Sequence, residues 1–88
     1  MSVNDQEILD GIREVARRHL DVDGELRADM RLAEDLELDS IKILTLAVEV
    51  ENRFRVCLDP SNEARIETVG ELVAEVGRQL ARRAHDPA

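Results

Sequence analysis

Residues 39–54 read DSIKILTLAVEVENRF and form the most informative segment of the chain. At about 100° per residue, the period of an α-helix, its apolar side chains fall on two opposite sides. One stripe consists of Ile43, Leu46, Ala47, Val50 and Phe54, and the other consists of Ile41, Leu44 and Val48, with Thr45 among them. Joining a core needs only one stripe, so the helix is either buried all round or shows its second stripe to a partner. The charged residues in and after this segment favour a partner stripe.

The first two helices begin at recognisable capping residues. Asn4 and Glu7 form a capping-box pattern that predicts a helix from about Asp5 to Leu20. Asp39 is a good N-cap for the second helix, which we expect to start at Asp39 or Ser40 and run to about Phe54. The acids before it suit the positive end of a helix.

Two more helical segments follow. Residues 59–64 predict a short helical turn, with Asp59 as the cap and Pro60 at the first helical position. Thr68 and Glu71 form a second capping box, and the helix that follows is expected to fray by Arg83.

Together these segments predict an all-α fold, a four-helix bundle with three longer helices and a short third helix. A long loop, residues 21–39, connects the first two helices, and its spaced apolar residues indicate that it packs onto the bundle. We expect residues 1–84 to form one domain and residues 85–88 to form a disordered tail. The predicted core consists of Ile8, Ile12, Val15, Leu32, Leu36, Ile43, Leu46, Val50, Phe54, Ile66, Val69, Leu72, Val73 and Val76.

The composition fits a small globular domain. With 43% hydrophobic and 36% charged residues, the chain is too apolar to be disordered and too charged to be a membrane protein. No apolar run approaches the roughly 18 residues that a membrane-spanning helix needs. Residues 1–10 carry acids where a signal peptide would have a basic start, so we expect a cytoplasmic protein.

The formal net charge of −8 disfavours nucleic acid and anionic membranes as partners and favours basic protein surfaces. Part of this charge is concentrated just before the second helix, at Glu34, Asp35, Glu37 and Asp39. A run of acids by itself is usually a solvated face, so it predicts a function only together with the residues around it.

The sequence contains no recognisable catalytic or metal-binding pattern. Cys57 is the only cysteine, which excludes an intramolecular disulfide and a multi-cysteine zinc site. Residues 21–24 resemble the start of a calcium loop, but no register also supplies its closing acid. Ser40 lacks a Gly-x-Ser-x-Gly elbow and a histidine near it in sequence, so it is a poor nucleophile by itself. It is therefore either a helix-start residue or the substrate of another enzyme.

The run Glu34-Asp35-Leu36-Glu37-Leu38-Asp39-Ser40-Ile41 resembles the motif of the acyl carrier protein family, in which an acidic loop ends in Asp-Ser-Leu or Asp-Ser-Ile. The resemblance extends through residues 49–54, 59–66 and 67–72 and covers about residues 5–82. It implies that Ser40 receives 4′-phosphopantetheine covalently from coenzyme A. It also implies a carrier that is a substrate of other enzymes, with no catalytic residue and no metal of its own.

The same resemblance implies a set of partners. These are a phosphopantetheinyl transferase, a ligase or acyltransferase that loads an acyl or aminoacyl group, and a ketosynthase or other chain-processing enzyme. We expect a free-standing monomer. Asp39 belongs to the cofactor motif, and the residues expected to contact partners are Glu34, Asp35, Glu37, Ile41, Lys42, Leu44, Thr45 and Val48.

Three positions depart from the family pattern. Glu37 stands where the family often has glycine, and Lys42 and Thr45 stand at positions that are commonly acidic in fatty-acid carriers. We interpret these departures as signs of a carrier of acyl or polyketide intermediates in a specialised pathway, either of secondary metabolites or of modified fatty acids. Two alternatives remain: a peptidyl, aminoacyl or D-alanyl carrier, and a helical interaction module without a prosthetic group.

Overall fold

The computed structural model describes residues 4–22, 24–58 and 66–85. These ranges contain three α-helices: α1 (Asp5–Leu20), α2 (Ser40–Phe54) and α3 (Val69–His85). The all-α fold class is confirmed, whereas the predicted short helix at residues 59–64 lies outside the described residues. α3 continues to His85, so the prediction that it frays by Arg83 was wrong by about half a turn. None of the described helices is both long and apolar enough to cross a membrane.

The helix ends are fixed by the predicted capping residues. Oδ1 of Asn4 accepts a 2.8 Å hydrogen bond from the backbone N–H of Glu7 at the start of α1. At the start of α3, Thr68 Oγ1 accepts from the N–H of Glu71 at 3.1 Å, and Glu71 Oε1 accepts from the N–H of Thr68 at 3.1 Å. This reciprocal pair is a capping box. α1 ends at Asp21, whose left-handed backbone (φ 56°) turns the chain into the long loop.

α1 and α2 run antiparallel. Glu14 Oε2 of α1 lies 3.6 Å from Arg53 Nη2 of α2, and the ring of Phe54 packs directly onto Gly11, where a Cβ atom would overlap it. A glycine inside a helix costs about 1 kcal/mol relative to alanine. Gly11 therefore weakens α1 locally but allows α2 to approach it closely.

Most of the predicted core is confirmed. Leu36, Ile43, Phe54 and Ile66 are half-buried and pack against the fully buried residues. The predicted residues that are buried are Ile8, Ile12, Val15, Leu32, Leu46, Val50, Val69, Leu72, Val73 and Val76.

Several buried residues were absent from the predicted core. Leu26 and Leu38 of the long loop, and Leu58 after α2, all lie in the core. Glu75 of α3 is only 2% exposed, although an acid is expected at the surface. Its carboxylate is held by Arg78 Nη1 at 2.6 Å and by Gln79 Nε2 at 3.0 Å. These bonds within one face of α3 compensate part of the cost of removing the carboxylate from water.

Candidate functional site

Ser40 is the first residue of α2 and its side chain is exposed. Asp39 precedes it in an extended conformation, with φ −82° and ψ 177°. Oδ1 of Asp39 accepts a 2.8 Å hydrogen bond from the N–H of Lys42, which pairs a donor that a helix start would otherwise leave unpaired. The prediction that Asp39 caps the second helix is confirmed. The cap fixes the first turn and leaves the Ser40 hydroxyl at the surface.

The acidic loop before Ser40 is folded into a tight turn around Arg31. Oδ2 of Asp35 accepts a 2.8 Å hydrogen bond from the backbone N–H of Arg31, and the N–H of Asp35 donates to the Arg31 carbonyl oxygen at 2.9 Å. Arg31 Nη1 lies 3.4 Å from Glu34 Oε1. Glu37 adopts a left-handed conformation with φ 55°. All four acids of this segment are exposed, and two of them also organise the backbone.

The loop is tied to the start of α3 by three backbone hydrogen bonds. The N–H of Leu32 donates to the carbonyl oxygen of Glu67 at 2.9 Å. In the other direction, the N–H of Val69 donates to the carbonyl oxygen of Met30 at 2.9 Å, and the N–H of Gly70 donates to the carbonyl oxygen of Ala28 at 2.8 Å. Val69 and Gly70 begin α3, so these bonds pair two of its exposed helix-start donors. The loop is thereby held in place where it leads into Ser40.

The second apolar stripe of α2 is exposed. The helix is therefore not buried all round, which was the other interpretation of its two stripes. Ile41 is 74% exposed, Leu44 59% and Val48 43%, whereas Leu46 and Ala47 on the opposite side are buried. Thr45 lies beside the stripe, and its Oγ1 donates a 3.0 Å hydrogen bond to the Ile41 carbonyl oxygen. Ile41, Leu44, Thr45 and Val48 form a surface, called here the α2 face, that begins one residue after Ser40.

His19 lies far from the Ser40 hydroxyl. Nε2 of His19 is 3.6 Å from Oε1 of Glu49. Glu49 is nine residues along α2 from Ser40, which is about 13 Å at 1.5 Å per residue. His19 therefore cannot act as a base for Ser40 in this arrangement.

An open groove of about 250 Å³ lies between the loop and the first turns of α2. Leu32, Ile43 and Ile66 supply its apolar part, and Arg31, Ala33, Glu34 and Glu67 also line it. Ile43 is three residues beyond Ser40, so the groove opens one helical turn from the serine hydroxyl. Ala47, which the sequence suggested as a source of space, is not among the described residues that line it.

Two residues of the site were missed by the sequence analysis. Arg31 organises the acidic loop through its backbone N–H and its guanidinium, and the spacing of four between Arg31 and Asp35 was the available signal. Gly70 permits the contact with Ala28, because a Cβ at position 70 would lie 2.9 Å from the Ala28 oxygen. No local pattern in the sequence indicates that long-range contact.

Comparison with known proteins assigns this helical chain, with its exposed serine at a capped helix start, to a family. Residues 10–76 match the family model described as "Phosphopantetheine attachment site". An acyl carrier protein of Kineococcus radiotolerans is 32% identical over 77 residues, which cover 85% of this chain and 94% of that protein. The chain therefore belongs to the acyl carrier protein family, whose prosthetic group is 4′-phosphopantetheine.

Further similarities agree with this assignment. The meromycolate extension acyl carrier protein of Mycobacterium tuberculosis is 29% identical over 77 residues, covering 86% of this chain and 67% of that one. The structure of a candidate acyl carrier protein from the same species superposes with a TM-score of 0.76 at 28% identity, covering 81% of this chain and 96% of that one. A 3-oxo-butyl carrier of the actinorhodin polyketide synthase of Streptomyces coelicolor shares the fold, with a TM-score of 0.61 at 24% identity. The superposition covers 93% of this chain and 95% of that one.

Proposed function

We propose that Ser40 is the attachment residue and that the protein is a carrier of acyl or polyketide intermediates. One observation carries the proposal: an exposed serine hydroxyl stands at a capped helix start inside the matched range 10–76, next to an exposed apolar stripe. The attachment chemistry needs such a hydroxyl, because it must enter the active site of a second protein. The carrier itself supplies no catalytic group.

The attachment is a phosphoryl transfer catalysed by a phosphopantetheinyl transferase. Oγ of Ser40 attacks the phosphorus of coenzyme A that carries the pantetheine, a new P–O bond forms, and the pyrophosphate linkage breaks to release 3′,5′-adenosine diphosphate. The hydroxyl proton passes to a base of the transferase, and the magnesium ion of the reaction belongs to the transferase and coenzyme A. Once attached, the arm supplies a terminal thiol that holds cargo as a thioester.

The α2 face and the acidic loop are the proposed contact surface for partner enzymes. Exposed acids such as Glu34, Asp35 and Glu37 raise the encounter rate with basic surfaces through long-range attraction. The exposed stripe then provides apolar contact area next to the arm. The transferase, a loading ligase or acyltransferase, and a ketosynthase or another chain-processing enzyme would use this surface in turn. We propose that the carrier acts as a cytoplasmic monomer and that residues 1–84 form one carrier domain.

The cargo is proposed to be an acyl or polyketide chain of a specialised pathway. The relatives described above at 29% and 32% identity are named acyl carrier proteins, which supports acyl over aminoacyl cargo. Lys42 and Thr45 reduce the negative charge of the α2 face, which supports partners other than those of housekeeping fatty-acid synthesis. If purified fatty-acid synthase enzymes process this carrier as readily as their own, the specialised pathway is excluded. Loading by an amino-acid-adenylating ligase would instead establish the peptidyl alternative.

Intact-mass spectrometry tests the attachment. The purified chain is incubated with coenzyme A and a broad-specificity transferase, and we expect a gain of one phosphopantetheine. Ser40→Ala should abolish the gain, while Ser61→Ala, which removes another serine, should leave it unchanged. A gain that persists in Ser40→Ala, or no gain on the wild type with several transferases, would contradict the proposal.

A further inference from the structure

Lys42 is the only lysine in the chain, and eleven arginines supply the other strongly basic side chains. It lies in the first turn of α2, two residues beyond Ser40, and its side chain is exposed. Its backbone N–H is bonded to Asp39, but within residues 4–22, 24–58 and 66–85 its ammonium group forms no ion pair. The cation is therefore directed to solvent next to the proposed attachment residue.

The position of Lys42 is unfavourable for helix stability. The start of a helix carries partial positive charge, so acids stabilise the first turn and cations destabilise it. α1 has Asp5 and Glu7 in its first turn and α3 has Glu71, whereas the first turn of α2 has no acid. Folding stability therefore does not account for a lysine at this position.

Lys42 lies on the edge of the α2 face. It is about 100° round the helix from Ile41, the most exposed large apolar residue. Three of the four nearby acids have other contacts, because Asp35 and Asp39 accept backbone hydrogen bonds and Glu34 lies beside Arg31. Glu37 is exposed and forms no ion pair with Lys42 among the described residues. An enzyme that covers Ile41 would bring one of its own side chains close to the Lys42 ammonium.

We propose that Lys42 selects partner enzymes that carry a carboxylate at the edge of the apolar depression receiving Ile41, Leu44 and Val48. This inference rests on the proposed function, because it assumes that the α2 face is a contact surface. A carboxylate opposite Lys42 gives a favourable pair and fixes the orientation of the complex. A lysine or arginine at that point of the partner brings two like charges together and weakens the complex. The partner would thus combine a basic group over the acidic loop with an acidic group over Lys42.

Charge reversal tests the inference by kinetics. The wild type, Lys42→Arg, Lys42→Glu and Arg82→Glu are each converted to the phosphopantetheinyl form, and the mass gain is confirmed first. Arg82→Glu makes the same charge change at an exposed position that is far from the loop. It lies about 20 Å along α3 from the start of that helix, which is the end bonded to the loop before Ser40. The probe is a purified acyl-loading ligase or acyltransferase, used with its own acyl substrate. We expect Lys42→Glu to lower kcat/KM about tenfold, mainly through KM, and the other two variants to stay within about twofold.

The stability of the variants separates recognition from folding. Because an acid suits the first turn of a helix, Lys42→Glu should unfold at the same temperature as the wild type or higher. A lower kcat/KM in a variant of equal or higher stability is then a loss of recognition. If Lys42→Glu behaves like Arg82→Glu, the inference is wrong while the proposed function stands. If the mass gain itself fails, or the loading enzyme accepts no form, the proposed function fails and the inference falls with it.

The single lysine also permits a direct structural test. A carbodiimide joins an amine to a carboxylate without a spacer, and Lys42 supplies the only side-chain amine of this chain. With the same loading enzyme, we expect an amide between Lys42 and an aspartate or glutamate near the enzyme's active-site entrance, located by peptide mass spectrometry. Lys42→Arg should remove this crosslink but keep loading. Efficient loading by the wild type without a crosslink at Lys42 would overturn the inference.

Discussion

The backbone N–H of Gly70 donates a 2.8 Å hydrogen bond to the carbonyl oxygen of Ala28, and a Cβ at position 70 would lie 2.9 Å from that oxygen. Gly70→Ala should therefore push the loop away from α3 and lower the free energy of unfolding by about 1–3 kcal/mol. Urea unfolding followed by circular dichroism measures this loss.

Gly77 provides the matched control for Gly70. A Cβ at position 77 would meet only Ile8 Cδ1, at an ordinary contact distance of 3.6 Å. Gly77→Ala replaces a glycine inside α3 and should raise stability by about 0.5–1 kcal/mol. Equal effects of the two substitutions would show that the contact with Ala28 does not constrain position 70.

Glu37 has a left-handed backbone conformation, with φ 55°, that costs a residue with a Cβ about 1–2 kcal/mol. Glu37→Gly should relieve this strain and raise the free energy of unfolding by about 1 kcal/mol after the greater chain entropy of glycine is counted. Glu37→Ala removes the same charge but keeps the Cβ, so it should not stabilise. If Glu37→Gly and Glu37→Ala raise the free energy of unfolding equally, the stabilisation comes from removing the charge and not from relieving the backbone.

Asp39 caps α2 through its side chain, with Oδ1 at 2.8 Å from the N–H of Lys42. Asp39→Ala should lower stability by about 1 kcal/mol, whereas Asp39→Asn keeps the hydrogen bond and should be close to the wild type. Thermal unfolding of the three proteins provides the measurement. An Asp39→Asn loss as large as that of Asp39→Ala would mean that the negative charge, not the hydrogen bond, stabilises the helix start.

Leu44 and Leu46 are two residues apart on α2 but lie on opposite sides. Leu44 is 59% exposed and Leu46 1%. Leu44→Ser should change stability by no more than about 0.5 kcal/mol yet reduce processing by partner enzymes, and Leu46→Ala should cost about 2–5 kcal/mol. Unfolding and loading are measured on both variants. Full loading activity in Leu44→Ser would argue against the α2 face as a contact surface.

The starts of the described helices could be predicted because capping acts over a few residues. Asn4, Asp39 and Thr68 each bond to a backbone N–H three residues ahead, and that spacing is visible in the sequence. The two apolar stripes of α2 could be recognised for a similar reason, since helical periodicity is local. The stripe that packs against α1 is buried, and the stripe on the opposite side is exposed.

The parts that could not be predicted depend on contacts between distant segments. The spaced apolar residues of the loop predicted that it packs onto the bundle, and Leu26 and Leu38 are buried. The hydrogen bonds to Glu67, Val69 and Gly70 that hold the loop there have no local pattern in the sequence. The burial of Glu75 contradicts the rule that acids lie at the surface. The cap at Asp39 and the exposed stripe of α2 follow local patterns and could be predicted, whereas the long-range contacts of the loop could not.

The attachment of the arm to Ser40 can be tested most directly on one peptide. Trypsin cleaves after Arg31 and Lys42 and releases residues 32–42, LAEDLELDSIK, in which Ser40 is the only hydroxyl-bearing residue. After incubation with coenzyme A and a transferase, we predict that this peptide carries one phosphopantetheine and loses it on fragmentation in the mass spectrometer. An unmodified 32–42 peptide from a protein that has gained the group, or from one that gains none, would contradict the assignment of Ser40 as the attachment residue.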